Sequence, residues 1–398
     1  MSQATEAVQP ESKQRQLEVL RHSGWGVPFR IFQPRNLCFW VLLLGYIGGV
    51  TVALQVIRPT APAYSSALGY GVVLFAIYAV PWWLYLSHLN RYTTVPHKII
   101  FTAFAWGFLA APFWIAIRAN DAILTIYAKA FGNAWASAWG PALTAPFTEE
   151  TAKMLGLVLL LSLVPQVLRT PFDGFVTGAF IGLGFQISED ILYGFQGATA
   201  QFGLNQGALV GQTLVARGLA GLFSHTMFSA IYCAGLMWLL NRDGSDHRLR
   251  GLGLMALATI FHLTWDSGGV YFNHVLPGAG PAILNYVLTI VLSVVTIRLL
   301  LRTVRQDERG WVRDVLQPEV ERGVLTPAEV DVLSGGRKQR RQLLHSVHGH
   351  HTRQIVKHVI TAAEDLATQI AYACGRDTDA VIHARTEVAR VRTGGGRG

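Results

Sequence analysis

Residues 141–164 read PALTAPFTEETAKMLGLVLLLSLV. The stretch is long and apolar enough to cross a hydrocarbon core of about 30 Å, yet Glu149, Glu150 and Lys153 sit in its middle. A charged side chain at that depth costs about 2.5–3.5 kcal/mol on insertion scales, so several together mark a functional site by default. The rest of the chain makes a membrane setting the natural one. Hydrophobic residues are 51% of the 398, charged residues only 14%, and mean hydropathy is positive, a composition of polytopic membrane proteins rather than large soluble ones.

Working outward, further stretches near the spanning length of about 20 residues lie at 37–57, 66–88, 99–117, 172–195, 208–240, 250–268 and 281–301. The expected fold class is therefore all-α: a polytopic transmembrane helical bundle of about eight spans with a helical cytoplasmic C-terminal tail. Three regions follow, namely a cytoplasmic N-terminal segment 1–36, a transmembrane domain 37–301 with its site-bearing core at 141–268, and a basic amphipathic tail 302–398. Residues 1–36 are polar and carry Lys13, Arg15, Arg21, Arg30 and Arg35, so the first span reads as a retained anchor rather than a cleavable signal. Arg91 and Lys98, Arg169, and then Arg242, Arg248 and Arg250 fall on the same side of successive spans as both termini. The positive-inside tendency makes that side cytoplasmic, in the cell membrane.

Cys38, Cys233 and Cys374 have no CxxC spacing and suggest neither a disulfide framework nor a cysteine zinc site. The net charge of +9 is explained by the tail. Arg298, Arg302, Arg305, Arg309 and Arg313 leave the last span at helical spacing, and such juxtamembrane bases gain about 1 kcal/mol each from anionic lipid. Interleaved aromatics are scarce there, which argues against nucleic acid as a partner. Thr326-Pro327-Ala328-Glu329 reads as a capped helix start, 353–372 as a second tail helix, and 394–398 as a disordered end.

Three more clusters of ionisable residues interrupt apolar spans: Phe185-Gln186-Ile187-Ser188-Glu189-Asp190, Phe223-Ser224-His225 and His262-Leu263-Thr264-Trp265-Asp266. Counting inward at about 1.5 Å per residue puts Glu149 and Glu150 about 12 Å below the outer surface, Glu189 and His262 about 9 Å, and His225 about 15 Å. All four clusters thus reach one layer of the outer half-membrane. Residues four apart share a helix face, which pairs Glu149 with Lys153, Phe185 with Glu189, and His262 with Asp266. A carboxylate one turn from a histidine can accept its ring N–H and leave the other nitrogen for a substrate oxygen or a metal. Gly174-x-x-x-Gly178-x-x-x-Gly182 reads as a close-contact stripe between helices.

In order and spacing, Glu149-Glu150-x-x-Lys153, Phe185-x-x-x-Glu189 and His262-x-x-x-Asp266, with His225 between the second and third, resemble the EExxK, FxxxE and HxxxD motifs of the PrsW-type intramembrane proteases. These are distant relatives of the CaaX prenyl endopeptidases and of bacteriocin-immunity membrane proteins. The resemblance covers about 141–268. It implies hydrolysis of a peptide bond in a membrane-anchored, single-span protein near the extracytoplasmic side; in the best-known member the substrate is an anti-sigma factor. The CaaX relatives carry a histidine where this chain has Glu189 and an asparagine where it has Asp266, so their chemistry does not transfer whole.

The expected catalytic group is Glu149, Glu150, Glu189, His225, His262 and Asp266. Glu149 is assigned as general base on an attacking water, and Glu150 shares its proton, orients the water or pairs with Lys153, whose simplest role is to neutralise the glutamates. His262, oriented by Asp266, and His225 stabilise the oxyanion or bind a metal. No cofactor is required by the glutamate scheme. A zinc version uses His225, His262 and Glu189 as ligands with Glu149 as base, although HExxH is lacking. Two other classes remain open: an ion- or proton-coupled transporter using the same buried acids and histidines, and a catalytically silent scaffold. Asp190 reads as a supporting partner, Asp173 as helix-start chemistry, and His345, His348, His350 and His351 as a solvated loop.

Overall fold

The structure, a computed structural model, describes residues 9–393 apart from 91–94, 222, 243, 245, 273–275 and 336. Arg91 and the glycine-rich end 394–398 lie outside the described residues. The helices in chain order are α1 Pro10–Ser23, α2 Leu37–Ile57, α3 Ser65–Asn90, α4 His97–Phe131, α5 Asn133–Leu163, α6 Pro171–Ala200, α7 Gln206–Gly221, α8 His225–Leu239, α9 Arg248–Asp266, α10 Gly280–Glu321, α11 Pro327–Ser334, α12 Arg337–Ser346, α13 His350–Tyr372 and α14 Asp379–Arg392. No strand occurs among the described residues. The chain divides into two compact units, one of Arg30–Arg91 with Val95–Leu301, the other of Met1–Phe29, Tyr92–Thr94 and Arg302–Gly398.

Among the described residues, α2, α3, α4, α6 and α10 are five helices long and apolar enough to cross a membrane. The expected spans 141–164 and 250–268 lie in α5 and α9, whose charged residues lower their apolarity. The expected span 208–240 is corrected: it is two helices, α7 ending at Gly221 and α8 starting at His225. Ser224 has φ −107 and ψ −114, which no helix accommodates, and the break makes His225 the first residue of α8.

α6 is the central helix. Thr170 and Asp173 form a reciprocal capping box with Pro171 in the first turn, the helix-start role expected of Asp173. A Cβ on Gly178 would collide with the Ser229 carbonyl oxygen, and one on Gly182 with that of His225. The glycine stripe therefore lets α8 lie backbone to backbone on α6, and it fixes His225 opposite the polar end of that helix. In α4, residues Trp106–Ala116 form a π-type segment containing Pro112, and the Trp106 indole donates to the Ala152 carbonyl at 2.8 Å, tying α4 to α5 beside the glutamates.

The second unit has its own core. Leu20 of α1 is buried with Val315 and Leu316 of α10, Leu325, Val330 of α11, Val359 and Leu366 of α13, and Val381 of α14. Gln16, 1% exposed, donates to the Val315 carbonyl at 2.6 Å. The capping box at Thr326 and Glu329 forms with Pro327 in the first turn, and α13 covers the expected 353–372. Glu319, fully buried, is held by Arg385 at 2.7 Å and Arg322 at 2.6 Å.

Candidate active site

On α5, a four-residue step carries Glu149 and Lys153 to one face, and both are buried with Glu150. Lys153 Nζ, 0% exposed, lies 2.8 Å from Glu150 Oε1 and 3.6 Å from Glu149 Oε2, so the expected pairing with the glutamates is present. The same ammonium is 3.0 Å from His225 Nδ1 and 3.9 Å from the centroid of the Phe185 ring. An ammonium only donates, so His225 Nδ1 accepts. The ring proton is then on Nε2, which donates to Glu189 Oε2 at 2.9 Å.

His262 comes from α9, with its ring centroid 4.9 Å from that of His225. Its Nδ1 is 3.1 Å from Glu150 Oε1, and Ser229 Oγ donates to the other Glu150 oxygen at 3.1 Å. The His262–Asp266 pair that the spacing suggests is close, with Nε2 3.2 Å from Oδ2. Its angle does not make a hydrogen bond, and Nε2 is left buried without one. Two carboxylates thus flank the His262 ring, Glu150 at Nδ1 and Asp266 at Nε2.

Glu149 has two unlike oxygens. Oε1 accepts from Asn120 Nδ2 at 3.3 Å, and Thr148 Oγ1 donates to Asn120 Oδ1. Oε2 is buried without a hydrogen-bond partner, 3.6 Å from His262 Nε2 and 3.8 Å from His225 Nδ1. Glu149 lines a cavity of about 570 Å³ together with Glu189, Arg217, Tyr193, Trp265 and Asp266. A substrate segment and a water both fit a space of that size.

Glu189 faces elsewhere than the zinc scheme requires. Its Oε2 receives Arg217 Nη2 at 2.6 Å as well as the His225 ring, and Asp190 Oδ1 pairs with Arg217 Nε at 2.5 Å. Among the described residues the group able to hold a metal ion is Glu149, His225 and His262, whose donor atoms lie within 4.8 Å of one another. Two nitrogens and a carboxylate oxygen suit zinc, and two of these residues carry unpartnered buried polar atoms, Glu149 Oε2 and His262 Nε2. The residues fit such an ion, with Glu149 rather than Glu189 as the third donor.

Arg217, Asn120 and Ser229 were not singled out as site residues by sequence reasoning. A signal existed for one of them: Arg217 is the sole Lys, Arg, Asp or Glu between Asp190 and Arg242, so a buried acid is its natural partner. Asn120 and Ser229 are ordinary polar residues in sequence and carry no such mark.

A helical membrane protein that gathers carboxylates and two histidines around an unpartnered carboxylate oxygen beside a cavity has the makings of an intramembrane hydrolase. Comparison with protein families matches residues 95–297 to the PrsW family of intramembrane metalloproteases. That match spans just over half of the chain and includes every residue of the cluster. The chain belongs to this family and is an integral-membrane protease. No curated protein and no solved structure matches it.

Proposed function

We propose that the protein cuts a single-span, membrane-anchored protein near the extracytoplasmic face, an anti-sigma factor being the implied substrate, with Glu149 as general base. One observation carries this reading: Glu149 Oε2 is buried and unpartnered on the wall of the cavity. Glu149 takes a proton from the water that attacks the scissile carbonyl and returns it to the departing amine. His262 Nε2–H stabilises the oxyanion; the one N–H of His225 is engaged by Glu189, so that ring acts through the lone pair of Nδ1, orienting the attacking water or holding a metal. Glu150, held by Lys153, Ser229 and His262, keeps the His262 ring fixed, and Glu189 and Asp266 set the fields around the two rings. In a metal-loaded enzyme Glu149, His225 and His262 would hold the ion, which supplies Lewis-acid polarisation of the scissile carbonyl.

The second unit supports a topology with both ends cytoplasmic. α1 shares one core with α11, α13 and α14, which supports reading the N-terminal and C-terminal segments as lying on one side, with an even number of crossings. The five apolar helices are an odd number, and counting α5, α7 with α8, and α9 as crossings brings the total to eight. The basic loops then face inward, and Arg298, Arg302, Arg309 and Arg313, at and beyond the end of the apolar part of α10, meet anionic lipid.

Reconstitution in liposomes with single-span reporter proteins tests this reading. Product masses that locate the cut in the outer half of the reporter's span agree with it. Intact reporter together with proton flux would support transport instead.

A further inference from the structure

We infer that Arg217 is a positioning residue that sets His225 through two separate polar connections, an inference that rests on His225 acting in cleavage as proposed above. The first connection runs through the ring. Arg217 Nη2 donates to Glu189 Oε2 at 2.6 Å, the oxygen that also accepts the His225 Nε2 proton at 2.9 Å. The second runs through the backbone. Arg217 Nε donates to Asp190 Oδ1 at 2.5 Å, Asp190 Oδ2 accepts from Gln186 Nε2 at 2.8 Å, and Gln186 Oε1 accepts from Ser224 Oγ at 2.6 Å. Ser224 immediately precedes His225, where α8 begins.

One guanidinium thus fixes both the acceptor of the ring proton and the residue from which the histidine's helix starts. Adjacent residues on a helix diverge by about 100°, so the Glu189 and Asp190 carboxylates are reached together by a forked donor, and a lysine ammonium offers only a point charge. The Tyr193 ring lies 4.0 Å below the guanidinium and holds its plane. The consequence is on the opposite edge of the imidazole. With Nε2 held as the donor, Nδ1 keeps its lone pair for the Lys153 ammonium at 3.0 Å, with Glu149 Oε2 3.8 Å away. Without Arg217, Glu189 loses its second donor, and the acceptor that orients the His225 ring is no longer held in place.

Because Arg217 also lines the cavity, a role in binding substrate is the rival reading, and the two separate in the kinetics. The test uses the full-length protein in nanodiscs with ¹⁵N-labelled histidines. Arg217→Gln is expected to lower kcat by about 10–100-fold, the usual cost of losing a group that orients a catalytic histidine, with KM unchanged and the His225 ring-nitrogen resonances moved. Added guanidinium ion is expected to restore part of the kcat of Arg217→Ala, and Arg217→Lys to recover less than half of the loss. Ser224→Ala breaks only the second connection and serves if the arginine variants fail to accumulate; it too is expected to lower kcat at constant KM. A raised KM with wild-type kcat, or wild-type kcat with unmoved His225 resonances in both Arg217→Gln and Ser224→Ala, overturns the inference. His225→Ala in the same assay separates the two claims: if it cleaves like wild type, the function assigned to His225 fails, and the resonances alone then decide whether Arg217 positions the ring.

Discussion

Glu149 Oε2 and His262 Nε2 lie 3.6 Å apart, and each is buried without a hydrogen-bond partner. Leaving such an atom unsatisfied costs about 1–3 kcal/mol, so two of them side by side are a standing cost to the fold. A water, a substrate oxygen or a metal ion placed between them would satisfy both atoms.

Metal binding at Glu149, His225 and His262 is read by stability. Zinc added at about a hundred times its Kd stabilises a protein by about 2.7 kcal/mol, and thermal unfolding of the detergent-solubilised protein is expected to rise accordingly. His262→Ala, which removes one of the three donors, is expected to lose that increment. An equal rise in wild type and variant would move the ion elsewhere.

Lys153 is the buried counter-charge of two glutamates. Lys153→Met leaves them uncompensated and is expected to cost about 3–5 kcal/mol, the usual penalty for removing one partner of a buried ion pair. Adding Glu150→Gln in the same chain is expected to recover a large part of the loss, because it removes the nearer of the two orphaned charges. Chemical unfolding of the single and double variants measures both effects.

Gly182 faces the His225 carbonyl oxygen with no room for a methyl group. Gly182→Ala is expected to destabilise the protein by about 1–3 kcal/mol through overpacking and to lower kcat, since α8 and His225 must shift away from Glu189. Gly197→Ala, where nothing lies near an added Cβ, is expected to leave both stability and turnover near wild type. Melting temperature and turnover measured on the two variants together separate the local collision from a general helix effect.

The tail unit supplies a pH dependence. Burial pushes the Asp377 carboxyl up, but the Arg385 hydrogen bond and the nearby Arg385 and Arg322 charges outweigh it and hold its pKa below the ordinary 3.8. A depressed carboxylate stabilises the fold fully above its unfolded value, and the contribution is lost as the pH falls through the folded one. Proteolytic opening of the tail in the full-length protein is therefore expected to increase below about pH 4, and Asp377→Asn is expected to flatten that acid limb. An unchanged acid profile in the variant would exclude Asp377 as a contributor.

The sequence reveals the clusters and the helices that carry them because an ionisable residue in an apolar run is conspicuous wherever it points. Glu149, Glu150, Glu189, His225, His262 and Asp266 do converge, as their common depth suggests. What it hides is azimuth and distance between helices. The run 208–240 stays apolar through its break, so hydropathy cannot distinguish one helix from α7 and α8, and Ser224 is too ordinary to mark a boundary. Which acids surround His262 depends on how α5 and α9 approach each other, so the i to i+4 spacing shows the Asp266 partner and not the second one, Glu150. Glu189 looked like a ligand until Arg217 supplied a competing charge.

The most direct measurement of the central claim is single-turnover cleavage of a single-span substrate in liposomes by wild type, Glu149→Gln and His262→Ala, with protein folding checked in each by melting temperature. The account expects Glu149→Gln to be folded and slower by about 10²–10⁴-fold, the span of a lost general base, and His262→Ala to be strongly impaired. Wild-type turnover by folded Glu149→Gln would contradict it and detach the buried cluster from the chemistry.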